Sequence, residues 1–142
     1  MAYNILIVDD STPMRAVIKK IIKASGFDVG EFFEAVNGRE ALKVLNEEWL
    51  DLVLTDYNMP DMNGLELIEE MKKDETLKSM PVIMVTTEGS KERVEKFLAK
   101  GIAGYIKKPF TPEQIKQKLR EIIGETEDEK QPFENGDEAL DF

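Results

Sequence analysis

The chain has 142 residues, the size of one globular domain, and contains no cysteine and no histidine. Those two absences exclude disulfide scaffolds, thiolate or imidazole metal sites, and Ser-His-Asp or Cys-His nucleophiles; covalent or proton-transfer chemistry falls to carboxylates, hydroxyls, lysine or a hard metal ion. The net charge of −10 is uneven, with eight acids against Lys130 in residues 124–142 and 21 acids against 18 bases in residues 1–123.

That balance argues against DNA as a partner, because nucleic-acid binding needs a basic footprint. Residues 124–142 repel one another and lack an apolar period, so they are expected to form a flexible acidic tail behind a domain at 1–123. No apolar run approaches the roughly 18 residues of a membrane span. The chain also enters a strand pattern at once, with no basic n-region or cleavage site, so no secretory signal is expected and the default location is the cytoplasm.

In chain order, Ile5-Leu6-Ile7-Val8 is a continuous β-rich run, the pattern of a parallel strand buried on both faces. Met14, Val17, Ile18, Ile21 and Ile22 then recur at helical spacing, with Thr12 expected as cap and Pro13 in the first turn. A weaker strand covers Val29 to Ala35. Asn37 opens a helix striped by Ala41, Leu42 and Leu45, and Leu52-Val53-Leu54 is a third strand. Asn63 caps a helix carrying Leu67, Ile68 and Met71, and Val82 to Val85 is a fourth strand. Ser90 opens a helix with Val94, Phe97 and Leu98 that Gly101 ends, and Ala103 to Ile106 is a short fifth strand. Thr111-Pro112-Glu113-Gln114 is a capping box before a last helix with Ile115, Leu119, Ile122 and Ile123. Five βα units of this length imply an α/β fold, a doubly wound five-stranded parallel sheet with helices on both faces.

In such sheets ligands bind beyond the carboxyl ends of the strands. Strand one ends in Asp9-Asp10, strand three in Thr55-Asp56, strand four in Thr86-Thr87, and strand five runs into Lys107-Lys108-Pro109. Each has a plainer role taken singly: an acidic pair as a cap, an Asp as the start of a turn, a Thr as a capping hydroxyl, a Lys as a solvated side chain. Their gathering at one rim favours a site. Two like charges about 4 Å apart repel by about 4 kcal/mol at an effective dielectric near 20, so three clustered carboxylates call for a neutralising cation. With no imidazole available, magnesium or manganese fits an oxygen-only donor set, and a carboxylate beside such an ion can become an aspartyl phosphate. Lys108 and Thr86 suit the stabilisation of phosphoryl oxygens.

The stretches Leu6-Ile7-Val8-Asp9-Asp10-Ser11, Asp56-Tyr57-Asn58-Met59-Pro60-Asp61-Met62-Asn63-Gly64, Val85-Thr86-Thr87-Glu88 and Tyr105-Ile106-Lys107-Lys108-Pro109-Phe110 resemble the receiver domain of two-component response regulators, in particular its single-domain chemotaxis branch. The resemblance spans about residues 3–123 and implies a flavodoxin-like sheet with strand order 2-1-3-4-5. It implies Asp56 as phosphoacceptor, with Asp9, Asp10, Asp56 and the backbone carbonyl of Asn58 as Mg2+ (or Mn2+) ligands. It further implies Lys108, Thr86 and Thr87 around the phosphoryl group, Tyr105 as the coupled switch, and a cis bond before Pro109. Lys91, Tyr105 and Lys118 match an output face that meets the flagellar motor switch protein. Asn58 and Glu88 match positions that tune phosphate lifetime.

The implied partners are a histidine kinase, a protein target and a phosphatase. No DNA or membrane partner is implied, and the implied state is a monomer. Thr87 departs from the smaller alanine of chemotaxis relatives, and Tyr57 from a tryptophan. Two alternatives stay open at this point: a phosphorelay intermediate or phosphate sink in the same fold, and an aspartate-nucleophile phosphatase. The phosphatase expects a second Asp two residues after the nucleophile, where this chain has Asn58. A dinucleotide-binding role is excluded, since no glycine-rich loop follows strand one. The tail is either a solubilising end or, through Glu134 to Phe142 with Ala139, Leu140 and Phe142, an acidic docking segment.

Overall fold

Successive strand residues point to opposite faces of a sheet, so a strand that is apolar at every position needs cover on both sides. The computed structural model, which describes residues 2–87 and 89–124, supplies that cover. The elements in order are β1 (Tyr3–Val8), α1 (Thr12–Ser25), β2 (Val29–Ala35), α2 (Gly38–Glu47), β3 (Leu52–Asp56), α3 (Gly64–Lys72), β4 (Val82–Thr86), α4 (Lys91–Ala99), β5 (Gly104–Lys107) and α5 (Pro112–Ile123). The strands form one parallel sheet in the order β2-β1-β3-β4-β5. Glu88 and the acidic tail beyond Gly124 lie outside the described residues.

The alternation divides the core in two. Ile5, Ile7, Leu52, Leu54, Ile83 and Val85 pack with Ile18 and Ile22 of α1 and with Ile115 and Leu119 of α5. Leu6, Val8, Val53, Val82 and Met84 face the other way, onto Leu45, Leu67, Met71 and Phe97 of α2, α3 and α4. At about 1.5–3 kcal/mol per fully buried aliphatic side chain, these two layers are the main force holding the sheet between its helices. Among the described residues no helix is long and apolar enough to cross a membrane.

Every helix starts on a capping side chain: Asn37 accepts from the Glu40 amide, Asn63 from Glu66, Ser90 from Arg93 and Thr111 from Gln114. Asn63 and Thr111 complete reciprocal capping boxes. The first helix corrects the sequence expectation. Its cap is Ser11, whose hydroxyl accepts from the Met14 amide at 3.2 Å, and Thr12 is already helical. The physical reason is that the Thr12 hydroxyl is engaged elsewhere, accepting from Arg15 at 3.1 Å. The fifth strand also sits one residue later than expected, so that Lys107 is its last member.

Gly64 ties α3 to the end of β3. A Cβ at this position would stand 2.5 Å from the carbonyl oxygen of Asp56 and 3.2 Å from Cα of Tyr57, both backbone atoms that cannot step aside. Gly64→Ala is expected to cost about 2 kcal/mol, within the usual range for overpacking. Gly30→Ala, whose nearest obstacle is the side-chain oxygen of Asn4, is expected to change stability by less than about 1 kcal/mol. Urea unfolding of the two variants beside wild type checks the contrast.

Candidate functional site

The chain leaves β1 toward β2 on one side and returns to β3 on the other, so the β1/β3 boundary is where the winding reverses. Crevices at such reversals, beyond the carboxyl ends of the strands, are where open parallel sheets bind ligands. Asp9 and Asp10 follow β1 directly, and Asp56 is the last residue of β3. Register brings the neighbouring strands to the same rim: Val8 pairs with Thr55, Asp56 with Val85, and Thr86 with Lys107.

The three carboxylates converge there, with ligand oxygens of Asp9, Asp10 and Asp56 all within 4.8 Å of one another. Asp9 is 2% exposed. Its Oδ1 accepts from the Ser11 amide at 2.8 Å, while its Oδ2 is buried without a hydrogen-bond partner. Asp56 Oδ1 accepts from the Tyr57 amide at 2.9 Å. Lys108 Nζ stands between the two acids, 3.6 Å from Asp9 Oδ2 and 3.5 Å from Asp56 Oδ1. Both distances exceed the 2.7–2.9 Å of a charge-assisted hydrogen bond, so the ammonium is shared rather than committed. Burial pushes the Asp56 carboxyl above its ordinary range, the Lys108 ammonium pulls it down, and the Asp9 charge adds to the rise.

The other expected residues distribute as follows. Thr86 is buried at the end of β4, and its carbonyl accepts from the Lys108 amide at 2.8 Å. Thr87 is exposed beside it and lines an apolar hollow with Met14, Ile21 and Phe110. Asn58 is exposed in the loop after β3, where it shares a shallow cleft of about 350 Å³ with Asp10, Tyr57 and Met59. The Lys108–Pro109 bond is cis. Tyr105 and Lys118 line one groove of about 480 Å³ between β5 and α5. Lys91, the first residue of α4, is exposed and is not part of that groove's lining.

Sequence reading missed two residues. Arg15 lies buried on the inner side of α1 and donates to the backbone carbonyl of Asp9, to Thr12 and to Glu34. Glu34 of β2 bridges Arg15 at 2.8 Å and Lys19 at 2.7 Å, and hydrogen bonds from Lys19 and then Arg15 hold its carboxyl below the ordinary range. The available signal was spacing: Arg15, Ile18 and Ile22 fall at i, i+3 and i+7, which puts a guanidinium in line with the apolar stripe.

The donor set fits a hard divalent cation. It is all oxygen, it carries three negative charges against one lysine, and one of its buried oxygens lacks a hydrogen bond. A topological crevice with a converging acidic trio and a shared lysine makes a site for a cation and an anionic group, without the glycine-rich loop of a dinucleotide-binding sheet. The response regulator receiver domain profile matches residues 5–120, and the chain belongs to that family. Its relatives include a chemotaxis protein CheY homolog of Campylobacter jejuni, 43% identical over 122 residues that cover 85% of this chain and 92% of the relative. The chemotaxis protein CheY1 of Helicobacter pylori is 41% identical over 85% of this chain and 97% of its own length. Among solved structures, the chemotaxis response regulator CheY4 of Vibrio cholerae superposes with a TM-score of 0.76 at 32% identity, over 86% of this chain and 99% of that one.

The raised Asp56 carboxyl fixes the sign of a pH effect. An acid whose folded pKa lies above its unfolded value stabilises the fold relative to its ionised form only while protonated, and that contribution is lost as pH rises through the folded pKa. In chelator-treated protein, Asp56→Asn is therefore expected to be more stable than wild type at pH 7. The gap should close as the pH falls below the ordinary Asp value of 3.8. Paired denaturation curves at both pH values check it.

Proposed function

We propose that the protein is a phosphorylation-activated switch in which Asp56 accepts a phosphoryl group from a histidine kinase. The convergence of Asp9, Asp10 and Asp56 on Lys108 carries the reading, because it puts a nucleophilic oxygen, a cation site and a fixed ammonium in one small volume. A carboxylate oxygen of Asp56 attacks phosphorus, the bond from phosphorus to the donor nitrogen breaks, and the electron pair leaves with the donor. Asp9, Asp10, Asp56 and the backbone carbonyl of Asn58 would hold Mg2+ or Mn2+, which supplies neutralisation of the charge gathering on the phosphoryl oxygens. Lys108 contributes a second positive group to the same oxygens.

Phosphorylation replaces the single carboxylate charge of Asp56 with a phosphoryl group carrying roughly 1.5–2 negative charges and strong acceptor oxygens. The Thr86 hydroxyl satisfies one of them in only one of its two positions, so the phosphoryl group biases the domain toward that state through a differential contact. Thr87, exposed at the pocket mouth, and Asn58 govern water and phosphatase access. Tyr105 relays the change to the face of α4, β5 and α5, where Lys91, Tyr105 and Lys118 receive a protein target.

The chemotaxis names of the relatives support the flagellar motor switch protein as that target. In this reading residues 1–123 act as a cytoplasmic monomer with no DNA or membrane partner. The only chemistry is phosphoryl acceptance and loss.

Incubation with acetyl phosphate and Mg2+ is expected to add about 80 Da, the mass of one phosphoryl group, to wild type. Asp56→Asn, or wild type with excess chelator, is expected to gain nothing in intact-mass measurement. An equal adduct on Asp56→Asn would refute the assignment. Thr86→Ala is expected to keep the adduct yet lose at least about tenfold of the phosphorylation-dependent gain in affinity for motor switch protein, a coupling of the usual allosteric size. Binding titrations with and without acetyl phosphate measure that gain.

A further inference from the structure

A second polar cluster lies directly behind the acidic pocket, and the receiver reading makes no use of it. Arg15 is only 7% exposed and sits where the stripe of α1 otherwise presents Ile18 and Ile22 to the core. Its guanidinium reaches three acceptors on three segments. Nε donates to Glu34 Oε1 of β2 at 2.8 Å, Nη2 to the Thr12 hydroxyl at 3.1 Å, and Nη1 to the backbone carbonyl of Asp9. The far oxygen of Glu34 is held by Lys19 at 2.7 Å, one helical turn further along α1.

We infer that Arg15, braced by Glu34, is a positioning residue that sets the divalent-cation affinity of the acidic pocket. The peptide of Asp9 is gripped from both sides. Its N–H donates to the carbonyl of Ala35 on β2 at 3.0 Å, and its C=O accepts from Arg15. Glu34 is the residue before Ala35, so the strand that holds the Asp9 amide also anchors the side chain that holds the Asp9 carbonyl. The same guanidinium fixes Thr12 at the start of α1, and Ser11 between them donates its amide to Asp9 Oδ1 at 2.8 Å. The segment carrying Asp9 and Asp10 is therefore clamped at its entry, middle and exit. Mutual repulsion among the three carboxylates would otherwise drive that segment away from Asp56.

Packing alone does not explain an arginine here. Burying a guanidinium is costly even when it is paired, and replacing a buried ion pair by apolar side chains of similar volume is often neutral or stabilising. Methionine would continue the Ile18–Ile22 stripe. What an apolar residue lacks is a planar fork of donors aimed at several acceptors at once. Groups that orient metal ligands from behind typically change affinity 10–100-fold when removed.

The inference rests on the cation site proposed above, and the test separates the two. Mg2+ is titrated calorimetrically into wild type, Asp10→Asn, Arg15→Met and Glu34→Gln, with urea unfolding run in parallel. Wild type is expected to bind saturably and Asp10→Asn to bind far more weakly, which checks the site itself. No saturable binding by wild type would sink that site, and this inference with it.

With wild type binding, Arg15→Met is expected to weaken Mg2+ at least about tenfold, whether its chelator-treated stability falls, holds or rises. A merely structural arginine would instead lower stability and leave the affinity of the folded fraction unchanged, and that result overturns the inference. Should Arg15→Met not fold, Glu34→Gln, altered at a partly exposed position, gives the decision. A weakening of about threefold or more supports the clamp, and wild-type affinity refutes it.

Discussion

Three negative charges held within 4.8 Å of one another, with a single lysine shared between two of them, are the arrangement that the rest of this molecule has to sustain. At an effective dielectric near 20, each carboxylate pair at about 4 Å repels by about 4 kcal/mol, comparable to a sizeable part of the net stability of a domain. Asp56 is fixed as the last residue of β3, and Asp9, one residue past the neighbouring strand, is held by its backbone bonds to Ala35 and Arg15. Their separation is set by strand spacing together with those backbone anchors. Burial chiefly, with a smaller push from the Asp9 charge, raises the Asp56 carboxyl against the pull of Lys108. The site is thus in deficit of positive charge, and a divalent cation or a charge-neutralising change elsewhere relieves it.

The scaffold tolerates this deficit because its stability is generated elsewhere. Two apolar layers enclose the sheet, and β1, β3 and β4 are buried along almost their whole length. The polar residues begin where the strands stop. Each loop at that rim then runs into a helix whose first turn is pinned by a side-chain cap, so the loops carrying the functional groups are short and anchored at both ends. Gly64 shows how tightly: the start of α3 approaches the carbonyl of Asp56 so closely that even one methyl group has no room.

Most of this was legible in the residues. Short, β-branched-rich continuous runs such as Ile5–Val8 and Val82–Val85 read as strands covered on both faces, and strands of that kind separated by single helices leave little topological freedom. The rim acids follow from where those runs end. What stayed hidden was tertiary in origin. Ser11 and Thr12 are both competent caps, and the choice between them was made by Arg15 occupying the Thr12 hydroxyl. Arg15 itself looked like one more charged residue on a helix. Its burial depends on Glu34, a partner 19 residues away on an edge strand, and local pattern carries no information about such a pairing.

The output side follows from the same geometry. β5 spans only Gly104–Lys107, yet it serves both ends of the proposed switch. At its carboxyl end the amide of Lys108 is bonded to the carbonyl of Thr86, and the Lys108 ammonium lies between Asp9 and Asp56. Three residues earlier, Tyr105 lines the groove shared with Lys118 and packs against the core. A Cβ at Gly89 would fall 2.7 Å from the Tyr105 hydroxyl, so the loop after β4 passes close to the ring. Pocket and groove therefore adjoin along one short strand bordered by one loop, with Lys108 at the edge of both. A close-packed interior of this kind shifts between discrete arrangements rather than deforming smoothly, so a change of charge at Asp56 has a short physical route to the ring of Tyr105.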